Sequence, residues 1–123
     1  MATLSEIKQA AERGDANSLY TLGGLYLQGR GVEQNIKTGI EYLLKAGEKG
    51  HGKALYIVGQ IFENEKFANP DLEQAILLFF RAANNGYSEG LSKLKAYATM
   101  GNPMALCKLG ILLGIQGQKD KDK

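Results

Sequence analysis

Apolar positions in this chain recur at helical spacing, and the whole pattern then recurs as a block. Ser18, Leu22, Leu25 and Tyr26 fall at i, i+4, i+7 and i+8, one stripe of an α-helix. Ala54, Val58, Ile61 and Phe62 repeat that stripe 36 residues later, with a small residue first and an aromatic last. A second helical segment follows each stripe, so that residues 39–46 align with residues 75–82. Gly14, Gly50 and Gly86 mark the same 36-residue step. From each glycine the fifth and eighth residues are Leu19 and Leu22, Leu55 and Val58, and Leu91 and Leu94. A fourth copy from Gly101 supplies Leu106 and Leu109. A fixed period in this range is the mark of stacked helical repeats.

Start and stop signals agree with the periodicity. Each second helix runs into a period glycine, which suits a left-handed residue just past a helix end. Asp71 with Gln74, and Thr3 with Glu6, have the spacing of capping boxes, and Asn35 holds the matching place in the first unit. The segment 4–13 aligns with the second helix of a preceding unit, made more polar by Lys8 and Gln9. Between Gly86 and Gly101 only one helix fits, and Gly101-Asn102-Pro103 opens a last one that is expected to run to about residue 115. The count is about seven helices. The repeat domain covers residues 1–115, in units 14–49, 50–85 and a truncated 86–115, followed by a flexible charged tail over 116–123. The last helix carries Leu106, Leu109, Ile111, Leu112, Leu113 and Ile115 on more than one side. Two outcomes stay open for it: closure of the stack, or an apolar patch for another chain.

Composition narrows the class. Sixteen glycines in 123 residues are about twice the ordinary ~7%, and with only two prolines they point to turns and close helix contacts. The formal net charge is +2, with both signs interspersed, so no basic stripe for nucleic acid is expected. A single cysteine, Cys107, excludes an internal disulfide. No secretory pattern opens the chain, and no apolar run approaches the ~18 residues of a membrane span. The expectation is a cytoplasmic protein with no membrane partner.

Residues 18–32, SLYTLGGLYLQGRGV, closely resemble the first helix and turn of a Sel-one-like repeat, a relative of the tetratricopeptide repeats. The runs KAGEKG at 45–50 and RAANNG at 81–86 resemble the ending of that family's second helix. The resemblance implies an all-α fold, a short right-handed solenoid of antiparallel helix pairs. Gly23 and Gly59 lie mid-helix, where glycine costs ~1 kcal/mol against alanine. Close approach of the paired helix offsets that cost, with Ser18 and Ala54 serving the same end one turn earlier. Tyr26 and Phe62 are expected to fill the space between units. Glu65 and Phe67 replace Gly29 and Gly31 in the second unit, and Lys95 takes the glycine place in the third. A change of geometry is therefore expected after Gly86.

Candidate chemistry is sparse. His51 reads as a helix-entry residue, and a lone histidine is poor evidence for a metal. Cys107 shares the column of Tyr20 and Tyr56, a position the family packs. No cofactor, metal or catalytic residue is assigned. Paired cysteines, on which the family's link to penicillin binding rests, are missing. The remaining reading is a non-enzymatic surface, with Asn17, Tyr20, Thr21, Gln28, Lys53, Tyr56, Gln60, Glu63 and Lys108 as partner-contact candidates. Ile111, Leu112 and Ile115 are the candidates for an oligomer or partner patch, including a homodimer through the last helix. The partner is expected to be a protein, in a bacterial regulator or adaptor role. The alternatives are an immunity-type protein that neutralises a toxin, and an enzyme with a pocket in the concave face.

Overall fold

The computed structural model describes residues 3–64 and 71–121, with side chains through residue 114. Seven helices and no strands occur among them: α1 (Leu4–Glu12), α2 (Ala16–Gln28), α3 (Ile36–Glu48), α4 (Gly52–Glu63), α5 (Leu72–Asn84), α6 (Ser88–Thr99) and α7 (Pro103–Lys121). Each helix packs on its neighbours in sequence, and α7 also reaches back to α5. This is the sequential stacking of a helical solenoid. The last helix continues to Lys121, beyond the end expected near residue 115. Gln and Lys there are good helix formers. Glu65 and Phe67 lie outside the described residues.

One junction recurs four times. Gly14, Gly50, Gly86 and Gly101 have φ of 86°, 91°, 86° and 86°. The amide after each glycine donates back to a carbonyl five residues earlier: Asp15 to Ala10 at 3.1 Å, His51 to Ala46 at 3.1 Å, Tyr87 to Ala82 at 2.9 Å and Asn102 to Tyr97 at 3.0 Å. This is the Schellman closure, and it satisfies carbonyls that the helix end would leave unpaired. The donating residue then serves as N-cap of the next helix. Asp15, His51 and Asn102 each accept the amide three residues on, whereas Tyr87 makes no side-chain cap. A single residue thus ends one helix and starts another, which fixes the angle between them.

Within a unit the helices approach through glycine. A Cβ on Gly23 would lie 2.8 Å from Leu43 Cγ, and one on Gly59 would lie 2.6 Å from the Phe79 ring. In the third unit Gly90, in the column of Ala54, sits under the backbone of α5, where a Cβ would lie 2.5 Å from Phe79 O. Lys95, in the column of Gly23 and Gly59, is exposed, so the glycine contact of the first two units is not repeated at that position. Tyr26 does not bridge units. It stacks on Tyr42 of its own unit, centroids 5.7 Å apart, because α3 presents that ring opposite it. Phe62 does bridge, packing against both core clusters.

The core has two parts. Leu19, Leu22, Leu43, Leu55, Val58 and Leu78 form the larger, and Ala75, Ile76, Phe79, Leu94 and Ala105 the smaller. Helix α5 contributes to both and is their shared wall.

Candidate binding groove

The period that stacks the helices also stacks rings. Tyr20 on α2 lies against His51, the cap of α4, with centroids 4.4 Å apart and planes inclined by 16°. One unit later Tyr56 on α4 lies against Tyr87, the cap position of α6, at 5.2 Å and 54°. The residue offset is 31 in both cases, so the same two columns meet in successive units. The third unit places Ser92 where the tyrosine would be, and the ladder stops. Lys53 Nζ stands 5.8 Å from the Tyr20 ring centroid, close enough for cation–π attraction. Tyr20 is therefore half-buried and held on its outer side.

Beside Tyr20 runs a groove of about 330 Å³ between α2 and α4. Tyr20, Thr21, Gly24, Leu25, Gln28 and Ile57 line it, with Arg30 at one end. Gly24 has open space where a Cβ would be, so the groove floor comes down to the α2 backbone. The Thr21 hydroxyl donates to Asn17 O at 2.8 Å, while Arg30 approaches Gln28 Oε1 at 3.5 Å. Of the nine contact candidates, Tyr20, Thr21 and Gln28 share this groove. Asn17 is exposed one turn earlier on α2.

Lys53 stands over Tyr20 at the groove's lip, and the others are placed elsewhere. Tyr56 also packs on Phe79 at 5.4 Å, and Gln60 Nε2 donates weakly to its hydroxyl at 3.5 Å. Glu63 is committed to α6: Lys93 Nζ lies 2.7 Å from Oε1, and the Tyr97 hydroxyl donates to Oε2. Burial first, and then Glu63, raise the Tyr97 phenol to about 12. Lys93 also stands 5.5 Å from the Phe79 ring centroid. This polar clamp between α4 and α6 rests on Lys93 and Tyr97, which sequence reasoning did not single out. Lys108 lies over Phe80 at 5.0 Å, on the α5–α7 side. Ile111 is exposed, Leu112 packs against the smaller core cluster, and the Ile115 side chain lies outside the described residues.

Cys107 is exposed, although its column packs in the earlier units. Helix α7 fills the place of a second helix in its pair, and that turns the column outward. His51 accepts the Ala54 amide through Nδ1 at 3.2 Å and stacks on Tyr20, so both its cap and its ring are engaged structurally. Among the described residues, no group of three or more His, Cys, Asp or Glu is arranged to hold a metal. None of their helices is long and apolar enough to cross a membrane.

Other hollows are more mixed. A larger one, about 520 Å³, lies against α1, α2 and α3 and is lined by Lys8, Lys45 and Lys49 together with Glu12 and Glu48. Their opposite charges leave no convergent electrostatic character. The α2–α4 groove differs from that hollow in having few polar groups and largely apolar walls, and it is larger than the apolar hollow of about 150 Å³ that Ala83, Leu91, Leu112 and Leu113 line with Ser88.

Fold and groove together define a helical-repeat protein that presents a surface. A Sel1 repeat model matches residues 16–51 and 52–87, over half of the chain, and the protein belongs to the Sel1 repeat family. Repeats of this family generally mediate protein–protein interaction. The two matched units begin at α2 and at α4, the helices that flank the groove. Two solved structures are similar. One is c5321, a protective antigen present in uropathogenic Escherichia coli strains that displays an SLR fold, with TM-score 0.75 and 27% identity over 83% of this chain. The other is a Sel1 repeat protein from Oxalobacter formigenes, with TM-score 0.71 and 25% identity over 85% of this chain. The chain spans only 22% and 48% of those two proteins. No curated protein matches the sequence.

Proposed function

We propose that this chain is a non-enzymatic interaction module that grips a protein partner in the groove between α2 and α4. The observation that carries this reading is the preorganised Tyr20, stacked on His51 at the lip of an apolar trough with polar groups at its edge. Tyrosine and arginine dominate binding energy in many interfaces, and an aromatic ring already held in place loses little freedom on binding. Leu25, Ile57 and the bare backbone at Gly24 receive an apolar partner side chain. Thr21 and Gln28 fix its orientation, and Arg30 takes a partner carboxylate.

The role we assign is that of a regulator or adaptor in a bacterial cytoplasm, a reducing setting that suits a lone exposed thiol. The test is affinity capture from the native host with the full chain, run in parallel with Thr21→Arg and Tyr20→Ala. Thr21 is exposed, so Thr21→Arg should shift stability by no more than about 0.5 kcal/mol. Wild type should retain a defined partner that both variants lose. A partner kept by Thr21→Arg at full occupancy would place binding on another face. The identity of the captured chain separates a regulated protein from a toxin.

A further inference from the structure

Gly23, Gly39, Gly47 and Gly59, all within helices, lie beneath a neighbour's large side chain. In the antiparallel α2–α3 pair the arrangement is reciprocal: Leu43 lies over Gly23, and Leu27 over Gly39. Gly110 and Gly114 of α7 are open instead, like Gly24 in the groove, with nothing within 4 Å of where their Cβ atoms would stand. On the same outer side, Leu106 is 52% exposed and Leu113 is 50% exposed. Leu106, Gly110 and Leu113 are spaced four and then three residues apart, the spacing of a seam between two helices. The next position at that spacing, Gly117, lies on the same helix.

We propose that this stripe is the interface of a homodimer in which α7 pairs antiparallel with α7 of a second copy. A second copy is the occupant because the stripe carries both halves of the packing that the chain uses internally, a leucine to insert and a glycine to receive it. A two-fold axis between Ile111 and Leu112 sets Leu113 of each copy over Gly110 of the other. One self-matching patch that serves both protomers is the closed arrangement expected of a two-fold dimer. Ile111, 42% exposed, flanks the seam, while Leu112 stays in the monomer's own core. The seam is therefore shifted around the helix from Leu112 and Ile115. It is also independent of the α2–α4 groove.

The size of the seam sets its strength. At 1.5 Å per residue α7 is roughly 28 Å long, and one helix pair of that length buries an area at or below the ~1,200 Å² where stable interfaces begin. Association is thus concentration-dependent, not permanent.

The test is sedimentation velocity on the full chain from about 10 µM to about 1 mM, a range that brackets weak association. The weight-average mass should rise from that of the 13.4 kDa monomer toward twice that value and no higher. Leu113→Glu should hold it at the monomer mass. Gly110→Leu is the sharper variant. Its side chain enters open space in the monomer and improves helix propensity, so dilute melting should be unchanged or raised while association is lost. A monomer mass throughout would overturn the proposal. So would growth beyond a dimer, or association that survives Gly110→Leu.

Discussion

The phenol of Tyr97 shows how much a single residue can report. It reaches across from α6 to Glu63 on α4, and burial together with that carboxylate raises it to about 12 from an ordinary 10.0. Tyr87 is also raised to about 12, chiefly by its hydrogen bond to Glu89. A group whose folded value lies above its unfolded one adds stability that is complete below the unfolded value and is lost as pH climbs to the folded one. Both tyrosines therefore favour the fold below pH 10, and that contribution disappears between about 10 and 12. Phenolate absorbance should show two of the six tyrosines ionising late, only one in Tyr97→Phe, and none once the chain is unfolded in denaturant. Gly23 makes a harder demand. Any side chain there meets Leu43 at 2.8 Å and the carbonyl of Gly39 at 3.0 Å. Gly23→Leu should cost about 1–3 kcal/mol or more by overpacking, read as a fall in melting temperature.

Elements were the most legible scale. Helix positions followed from the stripe at 18, 22, 25 and 26 and from its copy one period on, because a 3.6-residue turn and a buried seam leave little choice of apolar positions. Caps at Thr3, Asn35 and Asp71 were readable for the same local reason, and each accepts the amide three residues on. What escaped were meetings between elements. The Tyr20–His51 and Tyr56–Tyr87 contacts join residues 31 apart, and only lining up two columns of the repeat, not one helix, could have found them. Lys93 and Tyr97 come to Glu63 from 30 and 34 residues away, in a unit whose pattern had already departed from the others. Part of the groove was visible as polar positions off the packing stripe, but Arg30 and Ile57 enter it only through the fold. Leu22, fully enclosed between α2 and its neighbours, tests the element packing directly. Leu22→Ala should lower stability by about 2–5 kcal/mol in denaturant unfolding, with a near-constant m-value if the stack still unfolds as one.

At the scale of the whole molecule the two core clusters are unequal. The larger draws on helices α1 to α5, and the smaller rests on α5, α6 and α7. Among the described side chains of α6 and α7, Leu94 and Ala105 alone are fully buried in the smaller one, and α6 starts without a side-chain cap. In a linear stack each unit is stabilised mainly by its neighbours, so the end with the thinner interface opens first. Helices α6 and α7 should therefore exchange backbone amides together, ahead of α2 to α5, in hydrogen-exchange mass spectrometry. Leu94→Ala should speed exchange in α6 and α7 while leaving α2 and α3 nearly unchanged, because Leu94 belongs only to the smaller cluster. Pairing of α7 between copies adds a concentration dependence, since binding that requires the folded end stabilises it by mass action. Protection of α7 should thus increase with protein concentration in the wild type and stay flat in Gly110→Leu. Uniform exchange along the chain would mean that α5 couples the two clusters into one cooperative unit. In that case the stack would open as a whole, and the polar clamp from Glu63 to Lys93 and Tyr97 would be the prime suspect for holding its far end in step.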